Sequence, residues 1–249
     1  MRSIRKQVKS WLTNTPGLRS LEPGITSAVQ KTELSLIRLW QRERFCEFIF
    51  WKRYADNAWK GQESRSGVGS SLEATAALRR QLPGLVQSLG AASILDIPCG
   101  DFHWMKEVAF PDHVFYIGAD IVAEVVAHNT ARYADARREF RKLDLLTDPL
   151  PAADLVICRD CLVHFSFKDI ARALRNLKRS GSKFLAVTHF PRSGTNTNIM
   201  TGQWRPLNFL MPPLNFPSPV HVINEELSEE RYSDKSLAVF RLQDVVPPG

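Results

Sequence analysis

Short apolar runs alternate with helical periodicities through most of the chain. Ser93-Ile-Leu-Asp-Ile97 is the first such run, and Val114–Gly118, Phe140–Leu143, Asp154–Cys158 and Lys183–Thr188 resemble it in length and composition. Runs this short, apolar on both alternating faces, suit strands of a parallel sheet buried on two sides. The segments between them carry helix signals. Ser166–Arg179 is the clearest: Ser166 and Asp169 stand at its start, Ile170, Leu174 and Leu177 fall on one face, and Lys178, Arg179 and Gly181 close it. Ser70 followed three residues later by Glu73 reads as a capping box, opening a helix that runs to about Leu82, before Pro83. Strands alternating with helices predict a parallel sheet covered on both faces.

The pattern changes at both ends. From Lys31 to Trp59, Leu34, Ile37, Phe45, Phe48 and Ile49 recur near the helical period among Arg, Lys and Glu. This predicts a long amphipathic helix, which either packs on its own domain or lies on a membrane surface. Residues 191–219 hold six prolines and no sustained periodicity, so they are expected to form a long functional loop, a lid. His221–Asn224 and Ser236–Leu242 follow as two more strands, an antiparallel pair closing the sheet edge. The expected organisation is a basic helical extension over 1–60 and one α/β domain over 61–249, a three-layer α/β/α sandwich on a mostly parallel seven-stranded sheet.

Composition changes this picture mainly through charge. Of 249 residues, 44% are hydrophobic and 24% charged, in the globular range. No apolar run reaches the roughly 18 residues of a membrane span. The basic N-terminus is not followed by a secretory pattern, and a cytoplasmic location is expected. Residues 1–60 hold 12 Lys/Arg against 5 Asp/Glu and residues 61–249 hold 21 against 21, so the net charge of +7 lies wholly in the extension. A neutral domain argues against a nucleic-acid substrate. The extension could meet an acidic protein or a membrane surface. The four cysteines, Cys46, Cys99, Cys158 and Cys161, are too few and too irregular for a disulfide framework.

The candidate chemistry lies where the strands end. The first apolar strand runs into Asp96 and then a turn at Cys99-Gly100-Asp101, and ligands of open parallel sheets bind beyond such carboxyl ends. Asp120 ends the next strand 24 positions on, where a carboxylate can accept both hydroxyls of a ribose. Asp144 repeats the arrangement at the third strand. With these three acids in order, and two C-terminal strands added, residues 90–245 resemble the Rossmann-like class I S-adenosylmethionine-dependent methyltransferases. The resemblance implies S-adenosylmethionine as cofactor. It assigns the methionine part to Asp96, Cys99, Gly100 and Asp101, the ribose to Asp120 with Ile121, and the adenine to Asp144 and Leu145. Pro98 and Phe102 stand where that family's loop has glycines.

Further expectations gather around this frame. In the family, the segment after the fourth strand borders the transferred methyl group; here it reads Cys158-Arg-Asp-Cys-Leu-Val-His-Phe-Ser166. Asp160 and His164 are its candidate acid–base residues, because methylating a hydroxyl requires proton removal. His164 could instead cap or pack the following helix, and Asp160 could pair with Arg159, itself a candidate cofactor contact. Arg65, in the Ser64–Ser71 loop, could clasp the cofactor carboxylate, or the loop could be a plain connection. Cys158-x-x-Cys161, with Cys99, His103 and His164, matches half a zinc site, but Cys158 sits in a buried strand and no metal is expected. Trp204, Arg205, Asn208, Phe209 and Phe216 would either wall the acceptor site or anchor the proline-rich segment. Together these imply methyl transfer to an oxygen, or a nitrogen, of a small molecule or glycan. Two alternatives remain: a nicotinamide oxidoreductase, for which the Gly-x-Gly-x-x-Gly loop is missing, and a non-catalytic partner-binding protein.

Overall fold

The computed structural model describes residues 46–248. Seven strands form one sheet in the order β3-β2-β1-β4-β5-β7-β6. They are β1 (Ser93–Asp96), β2 (Phe115–Asp120), β3 (Arg138–Lys142), β4 (Leu155–Cys158), β5 (Phe184–His189), β6 (His221–Asn224) and β7 (Ser236–Arg241). The first five run parallel, whereas β7 pairs antiparallel with both β5 and β6. Strand order reverses between β1 and β4, so the carboxyl ends of these two strands flank a cleft at the middle of the sheet.

Each central strand buries both faces because its side chains alternate across the pleat. Leu95, Val156 and Val187 face one core, where they meet Ile170, Leu174 and Leu177 of the helix Phe167–Arg179. Ile94, Ile157 and Ala186 face the other, against Leu78, Leu82, Leu85 and Val86 of the helix Ala76–Ser88. With residues 46–55 as helix α1, these elements are numbered α2 (Ala76–Ser88), α3 (Ala123–Tyr133) and α4 (Phe167–Arg179). The Ser166 hydroxyl accepts the backbone N–H of Asp169 and caps α4 as its sequence signals.

One expectation is corrected and two are refined. The helix expected from Ser70 opens only at Ala76, after a short turn at Val68–Ser70, and continues through Pro83 to Ser88. It is Ser71, not Ser70, whose hydroxyl meets a backbone N–H, that of Ala74. Pro83 forfeits one hydrogen bond, but Leu82, Leu85 and Val86 on either side of it are fully buried and carry the helix across. The second concerns the expected domain boundary, because residues before 61 join the same core. Cys46 and Phe50 of α1 pack into the first core, and Trp51 donates to Glu124 at 3.1 Å, so α1 belongs to the same compact unit as the sheet. Residues 1–45, with the first half of the helix expected from Lys31, lie outside the described residues.

The third concerns the proline-rich segment. It forms no regular element, as expected, and much of it is exposed, yet it is anchored in the core: Leu207, Phe209, Leu214 and Phe216 are buried. Arg205 is buried as well, donating to the carbonyls of Leu162, Val163, Phe165 and Thr197. Asn208 and Asn196 satisfy further carbonyls within the segment. Side chains thus replace the ladder that prolines forbid.

Candidate active site

A cavity of about 630 Å³ opens over the carboxyl ends of β1, β2 and β4. Asp96, Cys99, Gly100, Asp101, Asp120, Ile121, Asp144 and Leu145 all line it, as do Arg159, Asp160 and His164. Arg65 does not. Its guanidinium lies 5.9 Å from the Tyr54 ring centroid, and only its backbone N–H works inward, donating to Asp101 at 2.9 Å.

The loop after β1 is held from two sides. Asp101 accepts the hydroxyls of Ser64 at 2.8 Å and Ser66 at 3.2 Å, so this carboxylate ties the serine-rich loop to the strand end. Gly100 adopts φ +54°, and a Cβ there would fall 2.3 Å from the Ser66 hydroxyl. Only glycine fits that approach. Asp120 Oδ2 accepts the Gly100 N–H at 3.1 Å, and its Oδ1 accepts that of Val122 at 2.9 Å. Each oxygen retains acceptor capacity for a ligand. Burial pushes the Asp120 carboxyl up to about 6, with these N–H bonds working against the rise. Asp96, fully enclosed and receiving the Tyr116 hydroxyl at 2.6 Å, is pushed by burial to about 7. Burial likewise raises Asp144, whose carboxylate accepts the Leu146 N–H at 2.8 Å.

A family model described as a methyltransferase domain matches residues 94–181, which span β1 to the end of α4. Among solved structures the chain is similar to human N-acetylserotonin methyltransferase in complex with SAM, at 15% identity and a TM-score of 0.50, over 77% of this chain and 66% of that one. It is also similar to the methyltransferase domain of bacterial CtHen1-C, at 12% identity and a TM-score of 0.52, over 68% of this chain and 98% of that one. The fold is that of a class I methyltransferase. The chain spans just under two thirds of the human enzyme's length. No curated protein matches its sequence.

The segment after β4 brings the two acid–base candidates into one cavity but gives them unlike surroundings. Asp160, at φ +51°, lies 2.7 Å from Lys235 Nζ and 3.2 Å from Arg159. Burial alone would raise its pKa, but Arg159 and Lys235 outweigh burial and hold the carboxylate well below the usual range. Such a group is a poor base. Arg159 makes a paired contact with Glu225, at 3.0 and 2.6 Å, and donates to the Gly69 carbonyl at 2.8 Å. Arg159, Asp160, Glu225 and Lys235 thus form one closed network at the cavity floor. Glu225 and Lys235 escape sequence reading because they stand 66 and 75 residues from their partners.

His164 is differently placed. Its Nδ1 lies 2.8 Å from the Gln203 carbonyl, which can only accept, so Nδ1 carries the proton and Nε2 keeps its lone pair. Burial depresses its pKa below the ordinary 6.5 and keeps the ring neutral near pH 7, although Gln203 and Asp160 pull the other way. Phe50 and Trp59 pack on it, with ring centroids 6.4 and 6.1 Å away. These two, with Tyr54, come from the segment before the expected domain boundary and enter the site unannounced by any motif. Of the five residues expected as an acceptor wall, Trp204 lines the cavity, whereas Arg205, Asn208, Phe209 and Phe216 are buried anchors. Cys158 is enclosed in β4, and Cys161 is buried just beyond the strand's end.

Proposed function

We propose that the chain transfers a methyl group from S-adenosylmethionine to an oxygen or nitrogen of a small molecule or glycan. The observation that carries this reading is a neutral histidine, with a free Nε2, in the same cavity as three strand-end carboxylates.

The residues present fit the methyl donor. Asp120 offers unused acceptor capacity for the ribose hydroxyls, and Ile121, Leu143 and Leu145 give an apolar slot beside Asp144 for the adenine. Asp96 and the backbone of Ser66–Ser70 suit the amino-acid end, and glycine at 100 keeps that approach open. The bound sulfonium supplies the activated methyl group. The chain contributes alignment of donor and acceptor, water exclusion by the aromatic wall, and a proton acceptor at His164 Nε2. No helix among the described residues is long and apolar enough to cross a membrane. The basic segment before α1 would serve contact with an acidic protein or membrane surface, outside the transfer itself.

The test is His164→Gln, which keeps a hydrogen-bonding side chain but removes the base. Turnover should fall about 10²–10⁴-fold, with S-adenosylhomocysteine affinity nearly unchanged and a melting curve like that of the wild type. For the wild type, the acid limb of kcat should lie below pH 6.5, as burial of His164 requires. A folded variant with full turnover would remove His164 from the chemistry.

A further inference from the structure

We infer that the methyl acceptor is a cationic amine, a primary or secondary ammonium on a small apolar or ring-shaped body. This rests on the methyl-transfer reading and narrows it to nitrogen. Three features of the cavity carry it: the charge at its mouth, the state of its cations, and the surfaces around His164.

The domain is neutral overall, but its cavity is not. Glu73, Glu226 and Glu229 line it and stand exposed at its rim. Arg80 pairs with Glu226 at 2.9 Å, whereas Glu73 and Glu229 have no ion-pair partner among the described residues. The cations lining the cavity are Arg159 and Lys235, and both are already engaged. Arg159 is forked onto Glu225, and Lys235 lies 2.7 Å from Asp160 and 3.2 Å from Glu225. A phosphate or carboxylate entering here would pass carboxylates, lose its hydration and find no unpaired cation to replace it. An ammonium is drawn in by the same field.

Inside the rim the walls are aromatic. Phe50 and Trp59 surround His164, while Phe190, Trp204 and Tyr232 pack edge to face on one another and complete the wall. Aromatic faces carry partial negative charge and stabilise a desolvated cation, which a hydroxyl acceptor would not exploit. A nitrogen nucleophile must also shed a proton, and the neutral Nε2 of His164 can take it. The acceptor R–NH₃⁺ loses one proton to His164. Its lone pair then forms the N–CH₃ bond while the methyl–sulfur bond breaks with both electrons left on sulfur, and His164 returns the proton to solvent.

Three probes of one shape and different charge test this: 2-phenylethylamine, 2-phenylethanol and phenylacetate, titrated by calorimetry into the full chain saturated with S-adenosylhomocysteine. The amine should bind at least about threefold more tightly than the alcohol, and phenylacetate should not bind. Added salt should weaken the amine alone. Glu73→Gln with Glu229→Gln should cut the amine's advantage by about threefold without moving the alcohol. Failure of the amine to bind, or binding of the alcohol or the acid as tight as the amine's, overturns the inference. Saturable S-adenosylhomocysteine binding in the same titrations leaves the transfer reading standing in that case. Its absence removes the transfer reading, and the charge preference is then read on the unloaded chain.

Discussion

Phe102 holds a left-handed backbone, φ +59°, at a position where the resembling family has glycine. Its ring packs within 5.2 Å of Tyr116, Tyr133 and Phe140, and this burial outweighs a strain of order 1–3 kcal/mol. The left-handed turn that glycine would adopt freely is thus held here by a packed phenylalanine, a result composition could not foretell. Asp96 shows the opposite economy. It ionises near 7 in the fold but at an ordinary 3.8 when free of it, so between those values the folded state binds more protons than the unfolded one. Stability consequently falls as pH rises through this window, and the loss is complete above about 7. Asp96→Asn, neutral at every pH and still able to accept the Tyr116 hydroxyl, should raise the melting temperature most at about pH 8, less at about pH 5, and leave it nearly unchanged at about pH 3, below both values. It should weaken donor binding at the higher pH. A melting temperature that does not rise at pH 8 would mean that Asp96 is better solvated than its enclosure indicates.

Among the elements, the central strands were the most legible because both-face burial forces continuous apolar runs, and all seven strands lie within two residues of their expected places, although β3 and β6 bury only one residue each. Helix α4 was equally legible, since its cap and its basic last turn are local signals. Helix α2 was not, because tertiary burial of Leu85 and Val86 overrides the stop that Pro83 signals. The proline-rich segment was half legible. Its lack of regular structure follows from the prolines, but its burial depends on Arg205 finding four carbonyls that only the folded chain brings together. The loop from Glu225 to Lys235 was silent for the same reason. It hangs on the network with Arg159 and Asp160, and Glu225 is wholly buried there. Glu225→Ala would leave the Arg159 guanidinium enclosed beside a lost partner, which costs about 3–5 kcal/mol. Urea unfolding should show a loss of that size; a loss under about 1 kcal/mol would mean that water reaches the network.

Across the whole molecule, charge is divided in a way that sequence counts show only in part. The basic excess lies before residue 61, the domain sums to zero, and the cavity concentrates carboxylates that suit a cationic donor. The strand-end acids were readable as an ordered set, whereas the aromatic wall, drawn from α1, the turn at Trp59 and the segment before Arg205, was not, because no local pattern marks residues that meet only across the sheet. The central claim is that Asp120 and its neighbours hold S-adenosylmethionine. Calorimetric titration of the full chain with S-adenosylhomocysteine, repeated on Asp120→Ala with a melting curve for each protein, tests it most directly. The account predicts saturable one-site binding that the substitution weakens by about tenfold or more. Absence of binding in the folded wild type, or equal affinity in a folded variant, would contradict it.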